Sequence, residues 1–246
     1  MSLTRAVVGQ AKAVSAELLT GGLEVVGSAR PVVIESMKLE HFVPLVQRVI
    51  EQTGARVFNE DRHFPGKIVS LFEEHAQVIR KGKVHKPTEF GRLVRIDQVE
   101  NGIVSNFAVA DGNPGDATQW EPALKGHKER FGGAPEMATG DRGFYSAANE
   151  TTAREMGVKR VALPARGKLS QRRRAYQKQR WFRRALRWRG GIEPAIATLK
   201  HRFAMARACY QGDCGFQRAV GWSVIANNLV MIAPFQRRQE RKRATA

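Results

Sequence analysis

The chain has 246 residues, 42% of them hydrophobic, enough to bury a substantial core and to argue for one globular domain with appendages. Forty-one Lys and Arg against 23 Asp and Glu leave a net charge of +18, the footprint of a phosphate-rich partner, and no run reaches the roughly eighteen apolar residues of a membrane span. Cys209 and Cys214 have no further cysteine partners and no zinc-type spacing, and the start lacks a signal-peptide core, so reduced thiols in a cytoplasmic protein are expected.

Apolar residues recur at helical spacing over Arg5–Leu23 and again over Leu39–Thr53, as in Phe42, Leu45, Val46, Val49 and Ile50. Between them, the segment from Arg30 to Ser36 reads as a short strand or a turn into the second helix. Residues 1–57 are thus expected to form a helical segment. Residues 58–89, with Pro65, Gly66, Gly82 and Pro87, read as an irregular connection. His63, His75 and His85 fall there without the spacing of a metal site.

A core is expected over 90–235. Leu93–Asp97 and Ile103–Ala110 are strand-like and are joined through Asn101-Gly102, a strong hairpin signal. Asp116 is expected to begin a helix, with Gln119 completing a capping box, and that helix ends by Gly132-Gly133. A short apolar run then leads to Asp141-Arg-Gly-Phe144. Ser146 is an N-cap for a helix to Met156, Gly157 its left-handed terminator, and Val158–Leu163 the next strand. Strand, helix, strand with short turns predicts a parallel crossover.

Ser170 to Arg189 reads as one basic helix, with Tyr176, Trp181 and Trp188 interleaved. Between Arg166 and Arg202 stand 13 Lys and Arg and one acid, Glu193. Arg172, Arg173, Arg174, Arg183 and Arg184 are candidate phosphate contacts, giving salt-dependent affinity for nucleic acid. The competing reading is a solvated charged face, and Trp181 and Trp188 are either base-stacking or core residues. Gly190-Gly191 reads as a break and Pro194 as a first-turn residue, which puts Glu193 at a helix start, where the dipole favours an anion. Lys200 falls seven residues on, along the same face. Phe216–Ala233 is the most apolar helix, expected to pack on the sheet and to be closed by Pro234. Residues 236–246 are expected to form a disordered basic tail.

The spacing Arg189-x3-Glu193-x6-Lys200 resembles the C-terminal signature of DDE transposases from bacterial insertion sequences, although Leu186 stands where a tyrosine usually opens it. Asp141-Arg-Gly-Phe with Asn149-Glu150, and Ala226-Asn-Asn-Leu229, carry the same resemblance, which covers roughly 58–233 and is sharpest for the group termed not-classified-yet. It implies an α/β fold with an RNase H-like core, a mixed sheet flanked by helices. It also implies three carboxylates around two magnesium ions about 4 Å apart, with manganese as a substitute. Asp141 would be the second acid and Glu193 the third, both of them metal ligands, while Arg189 and Lys200 would hold phosphates near the scissile bond. The implied partner is double-stranded DNA, at transposon ends and target, bound by a homodimer in a cytoplasmic, nucleoid-associated setting.

The resemblance places the first acid on a strand ahead of the hairpin, and Asp97, Asp111, Asp116 and Glu35 are the candidates for it. Asp97 leaves too little chain for the later strands, Asp111 and Asp116 read as a loop residue and a helix cap, and Glu35 is the wrong residue type. The expectation is therefore a C-terminal part of a transposase, lacking its first strand and from a split or decayed gene, that binds DNA without cleaving it. Two other classes share these features: a basic nucleic-acid binder without catalysis, and an RNase H-like nuclease or junction resolvase.

Overall fold

The computed structural model describes residues 2–21, 29–80 and 88–244, and the chain divides into two compact units, Met1–Gly91 and Arg92–Ala246.

In the first unit, α1 (Ser2–Gly21) packs on α2 (Ala29–Phe58), and Lys12 Nζ donates to Gln47 Oε1 at 2.9 Å. The stretch Arg30–Ser36, expected as a strand or turn, is helical. Within a 30-residue helix the weak β preference of Val32-Val33-Ile34 does not decide the local structure. Glu35 is an exposed helical residue paired with Lys38 at 2.7 Å. The chain leaving α2 is pinned back onto it: the Gln52 amide accepts from Ile68 N and donates to Ile68 O, and Arg48 Nε donates to Gly66 O at 2.8 Å. β1 (Gln77–Arg80) then pairs antiparallel with β2 (Thr88–Gly91), so 58–89 is not wholly irregular. Four-residue strands are too short to show a period. His75 lies 3.3 Å from Glu73, while His85 is outside the described residues.

The second unit begins with the expected hairpin, β3 (Val94–Gln98) against β4 (Val104–Val109), with Val94 opposite Val109. Asn101 and Gly102, at φ 62 and 77, make the left-handed turn that this residue pair favours. A 3-10 turn over Asp116–Gln119 leads into α3 (Trp120–Phe131). No side chain caps either start, so the expected capping box is not formed. β5 (Met137–Thr139), α4 (Ala147–Glu155) and β6 (Arg160–Ala162) form the expected parallel crossover, with Ala138 opposite Val161. Ser146 Oγ accepts from Asn149 N at the start of α4, and Gly157 beyond its end adopts φ 101.

The basic segment is two helices, α5 (Gln171–Lys178) and α6 (Arg180–Gly190), because Gln179 turns extended at ψ 143. α7 (Ile192–His201) follows with Glu193 in its first turn, and α8 (Gly212–Ala244) completes the unit. Pro234 does not close α8, and the tail expected to be disordered is helical to Ala244. One proline deletes one intrahelical hydrogen bond, and the Arg, Gln, Glu and Lys that follow are good helix formers.

Two small layered cores result. Along β6, Val161 and Leu163 face a cluster with Trp120, Leu124 and Ala153, whereas Ala162 faces Phe182 and Ala185. The alternation puts α3 and α4 on one side of β5–β6 and α6 on the other. On β3–β4, Val104 packs with Leu199 of α7 and Val224 of α8. Asn228 fastens α8 to the hairpin by accepting from Val104 N at 2.9 Å and donating to Val104 O at 2.8 Å. Among the described residues the strands pair as three separate two-stranded sheets, not the single mixed sheet expected, within an α/β arrangement. Among the described residues no helix is long and apolar enough to cross a membrane.

Candidate nucleic-acid interface and its acidic residues

Asp141 sits in the turn beyond the carboxyl end of β5. Its Oδ1 accepts from Gly143 N, and its carbonyl accepts from Phe144 N at 3.3 Å. A Cβ at Gly143 would lie 2.0 Å from Asp116 Oδ2, so any larger residue there would have to push the Asp116 side chain aside. The two loops are sewn together by Asn149, whose amide donates to both Ala117 O and Phe144 O at 2.8 Å, while Trp120 Nε1 donates to Asn149 O at 3.0 Å. Partial burial and the neighbouring Asp141 carboxylate push the Asp116 pKa above its ordinary value, against the pull of Arg166. Asp116, expected to be a helix cap, is thus the acidic neighbour of Asp141. Nothing in its spacing could have shown this, because the two loops meet only through tertiary packing.

Glu193 is exposed on α7 and pairs with Arg189 at 3.6 Å across the Gly190-Gly191 kink. Lys200 is exposed near the other end of the same helix. Arg183 and Arg184 project from α6 opposite the buried Phe182 and Ala185, and Arg172 and Arg174 are exposed on α5. Arg173 differs from its neighbours. Its guanidinium holds both Glu150 carboxylate oxygens, at 2.8 and 2.7 Å, donates also to Leu163 O, and lies against the rings of Tyr145 and Tyr176. It is an internal strut, because the bidentate partner leaves little of the fork for a phosphate. Trp181 is half-buried against Tyr176 and Phe182, as a core residue, and Trp188 is exposed.

Asp97, on β3, is paired with Arg95 at 3.0 Å, and burial raises its pKa despite that partner. His127 of α3 is near enough to feel Asp97, and burial lowers its pKa. The acid is satisfied within the hairpin.

The carboxylate oxygens of Asp141 and Glu193 are of a kind that suits a hard divalent cation. Among the described residues, however, no group of three or more His, Cys, Asp and Glu could hold a metal ion together. The three-acid centre implied by the resemblance is therefore not assembled from these residues.

No curated protein and no solved structure matches the chain. The family model for the transposase DDE domain does match, over residues 75–229. That span takes in the β3–β4 hairpin, the crossover with both acid loops, and the helix bearing Glu193, and by it the chain belongs to the transposase DDE domain family.

Proposed function

We propose that this chain is the DNA-holding part of a transposase catalytic domain, with Asp141 and Glu193 as two of three metal-binding acids. Members of the family act on DNA in transposition and use divalent metal ions. The observation that carries the reading is the family match itself, which spans both acids and the cations around the second. A divalent cation bound there would polarise a phosphodiester and activate the attacking oxygen. Magnesium suits carboxylate ligands and leaves positions for phosphate.

The chain's own residues supply the grip. Arg189 would take a phosphate by its planar fork, Lys200 as a point charge, and Arg174, Arg183 and Arg184 would track the backbone. The Arg189–Glu193 pair is exposed and weak, so it does not hold Glu193 away from a cation. An RNase H-like core without its first strand is the finer reading of the fold. It is supported by the order of elements, an antiparallel β3–β4 hairpin followed by the parallel β5–α4–β6 crossover and the helix bearing Glu193. A homodimer acting on paired ends belongs to the same proposal.

The test is a binding and strand-cleavage assay of the full chain on duplexes carrying insertion-sequence ends, in magnesium and in manganese. Duplex binding without cleavage is expected, since only two of the three acids are in place. Cutting that is abolished by Asp141→Ala would show the centre to be complete. Cutting that survives Asp141→Ala and Glu193→Ala, or no binding at all, would sink the proposal.

A further inference from the structure

Between α4, the turn after β6 and α5 lies a cleft of about 730 Å³. Arg154, Arg166, Lys168, Arg172 and Arg173 line it, against a single acid, Glu150. That acid is already neutralised, since Arg173 holds both its oxygens and the pair is largely buried, at 14% and 9% side-chain exposure. Four cations therefore surround a floor whose own charge is balanced. Arg154, Arg166, Lys168 and Arg172 are all exposed, and like charges gathered around one cavity are relieved by an anion they can share. The N-terminus of α5, capped by Ser170, adds its dipole to the same side.

The shape narrows the choice of anion. A cleft of this volume is in the range of about 300–1,000 Å³ that takes small molecules, which suits a short stretch of one sugar-phosphate backbone better than the bulk of a duplex. The Arg173 guanidinium already lies over the Tyr145 and Tyr176 rings, at 4.7 and 5.1 Å from their centroids, which leaves them less suited to stack on a base. The cleft can read phosphates but not bases. It also adjoins the acid loops, since Arg166 lies within electrostatic reach of Asp116.

We propose that this cleft is a phosphodiester site for a single, unpaired DNA strand, with Arg154, Arg166, Lys168 and Arg172 on its phosphates and Arg173 forming the floor. The proposal rests on the transposase reading above and deepens it by naming where one strand, as opposed to the duplex, is held.

The experiment compares the full chain with the triple variant Arg154→Gln, Arg166→Gln, Lys168→Gln. The probes are a labelled oligothymidylate of about twelve nucleotides, an abasic strand of the same length, and a labelled duplex. The variant is expected to lose about tenfold or more on the single strand, with a salt slope flatter by about 2 for three lost contacts. Its duplex affinity should stay within about threefold, and the abasic strand should bind the parent as well as oligothymidylate does. Equal losses on strand and duplex would overturn the proposal, as would an unchanged single-strand affinity or a clear preference for the strand with bases. A parent that binds neither probe would instead defeat the transposase reading, whereas a parent that binds the duplex while the triple variant keeps its full single-strand affinity defeats this inference alone. Replacing Arg183 and Arg184 by Gln should show the converse pattern, weakening the duplex more than the strand.

Discussion

Asp116 and Asp141 are held side by side by Asn149 and by the glycine at position 143, and partial burial first, with the Asp141 charge second, raises the pKa of Asp116. An aspartate whose folded pKa exceeds its unfolded value of 3.8 binds its proton more tightly when folded. Its contribution to stability is therefore greatest at low pH and is lost as pH rises through the folded pKa. Asp116→Asn removes that dependence, so the variant should gain on the parent as pH rises from about 3.8, and should be at least as stable at neutral pH. Denaturant midpoints measured from acid to neutral pH check this, and parallel curves for the two proteins would refute it. Asp141 and Glu193 stand out in the sequence as candidates, because each sits in a patterned neighbourhood. Asp116 does not, because a cap and a partner of a distant acid look alike until the loops are folded together.

Helix α5 is joined to α4 chiefly by Arg173 and Glu150, a nearly buried ion pair whose remaining donor capacity goes to the end of β6. Removing one partner strands a buried charge, and Glu150→Ala should cost about 3 kcal/mol or more. Replacing both residues by apolar ones of similar volume should restore most of that loss. Thermal melting of the single and double variants decides: a mild effect of Glu150→Ala would mean that the pair is only a surface contact. Local signals placed many element ends correctly. Ser146 caps α4, Gly157 ends it, and Asn101-Gly102 turns the hairpin, each because the chemistry acts within a few residues. The break at Gln179 was invisible, since no glycine or proline marks it and Ala162 has to meet Phe182 before α6 can take its direction. Pro234 misled in the opposite sense, its local penalty being absorbed within a long helix.

Across the molecule the charge of +18 is the dominant property, with +12 of it between Arg166 and Arg202. If the exposed cations there engage about six to ten phosphates, duplex affinity should fall by roughly 10³-fold or more between about 50 and 200 mM salt. Anisotropy titrations over that range measure the slope, and a flat line would mean that the cations do not reach the backbone. Composition, charge and the spacing of Arg189, Glu193 and Lys200 by themselves pointed to a phosphate-rich partner and to the family that the match over residues 75–229 shows, since charge and side-chain chemistry survive without coordinates. Only the tertiary structure decided which cations face outward, which one is locked onto Glu150, and that Asp141 lies beside Asp116. Burial and long-range pairing depend on which surfaces meet, and a linear pattern does not record that.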